Sequence, residues 1–116
     1  MKKYFVSYNQ AVALKELGFD ENCFATFDSD KWFEVQDFEQ NYDTFPSHII
    51  AAPLKVQVFE WFREKYKIQS LIQEYLLNTY MYTIDDGINS DTSVVGFETY
   101  EEAESEAIDK LIELLK

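Results

Sequence analysis

A chain of 116 residues is long enough for one folded domain with its own core and too short for two ordinary ones. Hydrophobic residues make up 47% and aromatics 17%, which excludes a wholly disordered chain. Ten Lys and Arg against 22 Asp and Glu leave a net charge of −12, which excludes bare nucleic acid and anionic membrane surfaces as direct partners.

The opening residues, Met1 to Gln10, carry two lysines but no long apolar run, and no stretch of the sequence approaches membrane length. A soluble, cytoplasmic protein is expected. Ser7 with Gln10 three residues on is a capping-box pattern, and Ala11, Val12, Leu14 and Leu17 continue a first helix as far as Gly18. Gly18 suits the left-handed position after a helix, with Phe19 folding back on the last turn. Cys23-Phe24-Ala25-Thr26-Phe27, the turn chemistry of Asp28-Ser29-Asp30, and Lys31-Trp32-Phe33-Glu34-Val35 then read as a hairpin. Asp28 and Asp30 lack the further ligands, glycine and distal Glu of a calcium loop, so they are read as turn formers. Cys23 is the single cysteine and cannot close an intrachain disulfide; it fits a reducing compartment.

From Gln36 to Ala52 the period is lost, and the segment reads as a long loop whose Phe38, Tyr42 and Phe45 either pin it to the core or face a partner. His48, the lone histidine, reads as structural. Pro53 suits a first helical position, and Leu54, Val58, Trp61, Phe62 and Tyr66 form the apolar face of a central helix, with Lys55, Glu60, Arg63 and Glu64 off it. The segment 67–77 is open to either strand or helix; strand is favoured because Tyr80-Met81-Tyr82-Thr83-Ile84 behind it is a strong strand signal and neighbouring strands pair. Asp85-Asp86-Gly87 ends that strand, Asn89 to Thr92 is loop, and Ser93 to Phe97 adds a short edge strand. Thr99 with Glu102 caps a final helix whose buried stripe is Ala103, Ala107, Ile108, Leu111, Ile112 and Leu115. The expectation is one α+β domain over residues 1–116, in the order helix, hairpin, helix, hairpin, helix, with three helices on one face of an antiparallel sheet of three to five strands.

Three groups of residues also match a known pattern: Leu14 to Glu21; Ala52-Pro53-Leu54 with Trp61 to Tyr66; and Thr99 to Glu104 with Lys110 to Glu113. In order and spacing they resemble a family of short uncharacterised phage and prophage proteins. The resemblance implies a phage or mobile-element setting, and it brings no activity, cofactor or active site with it.

With Gly three times and His once, neither a phosphate loop, a His pair nor a Ser-His-Asp arrangement can be assembled. No metal or cofactor is expected, and a small enzyme working through carboxylates is the rival class. Charge is uneven instead: Glu16 to Asp43 holds nine acidic residues against Lys31, and Asp85 to Asp109 holds nine with no Lys or Arg. The leading expectation is a non-enzymatic module that binds a protein partner or a second copy of itself. Its sharpest alternative is a DNA mimic that presents Asp20, Glu21, Asp28, Asp30, Glu98, Glu101, Glu102, Glu104, Glu106 and Asp109 to a basic host protein.

Overall fold

The computed structural model describes residues 2–41, 46–74, 76–93 and 96–115, apart from the side chain of Asp37. The architecture is α+β, with three α-helices and two antiparallel three-stranded sheets. The chain divides into two compact units, Met1–Leu54 and Lys55–Lys116.

In the first unit a 3-10 turn at Lys2–Tyr4 leads into helix α1, Tyr8–Glu16. Ser7 caps it as the sequence predicts: its hydroxyl accepts from the Gln10 amide at 3.2 Å, and the Gln10 side chain accepts from the Ser7 amide at 2.9 Å. The end is a glycine stop, with Gly18 at φ 94° and the Phe19 amide donating back to the Leu14 carbonyl at 2.9 Å. Strand β1, Cys23–Phe27, pairs on one side with β2, Phe33–Gln40, and on the other with a two-residue β3, Ile50–Ala51. The hairpin turn is built by Asp28, whose Oδ1 accepts from the amides of Asp30 at 2.8 Å and Trp32 at 3.0 Å. Cys23, Ala25 and Phe27 are buried, and Phe27 meets Tyr8 and Phe33 in ring contacts at 5.7 and 5.3 Å.

Two expectations fail in this unit. The sequence predicts loop from Gln36, yet β2 continues through it to Gln40. An edge strand with neither face fully buried has no apolar alternation to betray it, and the register breaks between Cys23 and Ala25 so that the pairing skips residues of β2. Pro53 does not start the central helix; it is buried ahead of it, its carbonyl accepting from the Val6 amide at 3.1 Å, while Leu54 bridges to Phe5. Tyr42 and Phe45 lie outside the described residues.

The second unit opens with α2, Lys55–Tyr66, followed by β4, Gln69–Glu74, β5, Tyr80–Asp85, β6, Ser90–Thr92, and α3, Tyr100–Leu114. The sheet order is β4-β5-β6, so both β4 and β6 are edges. Val58, Trp61 and Phe62 of α2 are buried, with Trp61 edge-on to Phe62 at 5.2 Å and to Tyr66 at 5.4 Å. From α3 come Ala103, Ala107, Ile108, Leu111 and Ile112, the stripe the periodicity predicts; Leu115 is half-buried and Leu114 exposed. Thr99 caps α3 by accepting from the Glu102 amide at 3.0 Å.

The expected single sheet is therefore two sheets, and each hairpin gains a third strand that changes the element order. The second of these, β6, lies at Ser90–Thr92 where a loop was expected, ahead of the edge strand placed at Ser93–Phe97. Its cause is a tight turn: Asp86 Oδ1 accepts from the amides of Ile88 and Asn89 at 2.9 and 2.7 Å, so the chain is already paired at Ser90. Phe97 makes an isolated bridge to Tyr80, and Val94 and Val95 lie outside the described residues. Lys55 and Glu104, both expected on the surface, are buried.

Candidate functional site: two sheet edges and a cleft

The ten acidic residues singled out from the sequence fall into two sets. Asp20, Glu21, Asp28 and Asp30 belong to the first unit, where all but the half-buried Asp28 are exposed. Asp28 is committed to the hairpin turn. Glu98, Glu101, Glu102, Glu104, Glu106 and Asp109 belong to the second unit. Glu98, Glu102, Glu106 and Asp109 are exposed, Glu101 is half-buried, and Glu104 is only 6% exposed. Glu104 is thus removed from any outward-facing acidic surface.

Burial pushes the Glu104 carboxyl above its ordinary range, Lys55 opposing the shift and Glu101 adding to it. The same burial pulls the Lys55 ammonium down, and its Nζ donates to the Glu101 carbonyl at 3.1 Å. The cause is placement: α3 brings Glu104 against its own core stripe, one residue after Ala103.

Glu104 lines a cleft of about 340 Å³ in the second unit, together with Tyr100 of α3, Val56, Phe59, Glu60 and Arg63 of α2, and Ser70, Leu71 and Ile72 of β4. That size lies at the low end of the range of small-ligand sites. Two carboxylates on different helices, a guanidinium and two aromatic rings converge there, and the Ser70 hydroxyl is buried with no hydrogen-bond partner among the described residues. None of Arg63, Ser70, Ile72 or Tyr100 stands out in the sequence, because only the packing of α2 and α3 along β4 brings them together.

The first unit carries a different surface. Strand β2 is an edge, and Trp32 ahead of it is 68% exposed, Phe38 within it 64%, with Val35 also exposed. Glu34 and Glu39 interleave with them, both exposed. Large apolar side chains on an unpaired strand edge are ordinarily avoided, since such an edge templates pairing with another chain. From sequence Trp32 reads only as part of the returning strand and Phe38 as loop, because Trp32-Phe33-Glu34-Val35-Gln36-Asp37-Phe38-Glu39 carries no regular period that would mark an edge strand.

Cys23 is buried and its Sγ lies 3.4 Å from the Glu21 carbonyl. Burial, aided by Glu39 and Glu21, pushes the thiol up to about 12, so it is not a nucleophile. Among the described residues no group of three or more His, Cys, Asp or Glu side chains could hold a metal ion, and no helix is long and apolar enough to cross a membrane. No family model, curated protein or solved structure matches the chain.

Proposed function

We propose that the protein is a non-enzymatic interaction module that binds a basic protein partner along the β2 edge. The observation that carries this reading is the exposure of Trp32, just ahead of β2, and of Val35 and Phe38 within that edge strand, interleaved with Glu34 and Glu39. An edge strand offers main-chain hydrogen bonds for affinity and alternate side chains for specificity. Exposed Trp and Phe are the residue types that anchor interfaces. The carboxylates select the partner's charge, and they disfavour self-pairing, because two copies would bring Glu34 and Glu39 against like charges. The resemblance to short phage and prophage proteins supports a cytoplasmic host protein as the partner.

The test is a quantitative pulldown from host lysate with wild type and a Trp32→Ser/Phe38→Ser double variant. Wild type should retain a basic protein that the variant loses and that elutes as salt rises. Identical protein sets on both, or none on wild type, would overturn the reading.

One observation favours a second reading, a DNA mimic. Glu102, Glu106, Asp109 and Glu113 recur at i, i+4, i+7 and i+11 along α3 and are all exposed, forming a single acidic ridge. At about 1.5 Å rise per residue the ridge is roughly 16 Å long. A mimic should displace DNA from a basic partner, and Glu102→Gln/Glu106→Gln should weaken that displacement.

A further inference from the structure

The hydrogen-bond pattern of the second sheet shows which backbone groups its β4 edge offers. The Tyr80 amide and carbonyl exchange bonds with Phe97 at 2.8 and 2.7 Å, and the Ser93 amide donates to the Tyr82 carbonyl at 3.0 Å. Tyr80 and Tyr82 therefore point their main-chain groups away from β4, and in an antiparallel ladder the intervening Met81, Thr83 and Asp85 point theirs toward it. Those residues face Gln73, Leu71 and Gln69, with no register shift in the pairing. It follows that Ser70, Ile72 and Glu74 direct their N–H and C=O groups outward from the free edge of β4.

Ser70 and Ile72 also line the cleft between α2, β4 and the start of α3. The cleft thus combines outward-facing strand groups with a helix wall, apolar surface from Val56, Phe59 and Leu71, and three charged side chains, Glu60 and Arg63 of α2 and Glu104 of α3. Glu104 is buried to all but 6%, with Lys55 the opposite charge acting on it. Arg63 is exposed and stands two turns along α2 from Val56, or about 10 Å at 1.5 Å per residue.

We propose that this cleft binds an extended peptide segment as an added fourth strand on β4, with a cationic side chain reaching Glu104 and an acidic group reaching Arg63. Main-chain bonds to Ser70 and Ile72 hold the segment, and the charged groups Glu104 and Arg63 select it. A backbone edge beside a helix wall asks for a peptide, because only a repeating amide ligand can use alternate N–H and C=O groups spaced along a strand. This site lies wholly in the second unit and stands independently of the β2 edge.

The probes are acetyl-Lys-Val-Thr-Val-Glu-amide and its reversed sequence, titrated into the isotope-labelled full chain and followed by amide chemical shifts. One of the two should perturb Ser70, Leu71, Ile72, Arg63 and Glu104, and Arg63→Ala should weaken it about tenfold. Strand addition makes a stricter demand: methylating one alternate set of the peptide's amides should abolish binding, while methylating the other set leaves it intact. Equal binding of both methylated peptides would overturn the proposal in favour of side-chain contact only. No shift from either polarity at millimolar peptide would overturn it outright, whatever the pulldown on β2 returns.

Discussion

Glu104 and Trp61 show what single positions are worth here. Folding raises the Glu104 pKa from its ordinary 4.5, through burial first and Glu101 second, against the pull of Lys55. A raised folded value means that the native state holds the proton more tightly than the unfolded chain. The stability tied to this group is therefore complete below about pH 4.5 and is lost as pH climbs through the folded value. Glu104→Gln, which cannot titrate, should flatten the melting temperature between pH 4.5 and 7 relative to wild type; an unchanged slope would show that Glu104 titrates as an exposed carboxylate. Trp61 is buried against Phe62 and Tyr66, with the Lys65 ammonium 5.0 Å from its ring centre. Trp61→Ala should cost about 3–5 kcal/mol in denaturant unfolding, the range for a large core aromatic. A loss under 1 kcal/mol would contradict the packing. Cys23 should resist a thiol reagent at pH 8 in the folded chain and react at once in urea, because its thiol is held up to about 12 by burial.

At the scale of elements, legibility followed the strength of the local signal. Helix α1 was readable from Ser7 and Gln10 at one end and Gly18 at the other, because caps are satisfied within a few residues. The stripe of α3 was readable because one face is buried over its whole length. Thr99→Ala should therefore cost about 1 kcal/mol in thermal or urea unfolding, the ordinary worth of an N-cap. Strand β2 beyond Val35 was not legible, since its outward side chains are apolar and acidic by turns with no buried face to set a period. Strand β6 was not legible for another reason: Ser90, Asp91 and Thr92 have weak strand character, and they pair because the Asp86 turn returns them to β5, where the Thr83 and Thr92 hydroxyls meet at 3.2 Å. Lys110 then ties Asp91 down at 3.3 Å. The cleft was invisible for the same physical reason: Arg63, Ser70 and Glu104 are far apart in sequence, and nothing local marks them as neighbours.

Over the whole molecule, a net charge of −12 coexists with exposed aromatic and aliphatic side chains on a strand edge. In the proposed reading, repulsion between like-charged copies disfavours self-pairing, while the same charge steers a basic partner to that edge. The proposed interface places Trp32 against the partner. A photo-crosslinking phenylalanine derivative in place of Trp32, compared with the same group at the exposed Glu16 of α1, tests it most directly in cells. Position 32 should give one dominant adduct with a basic protein and position 16 none of that adduct; equal labelling from both positions, or no adduct from position 32, would overturn the proposed interface.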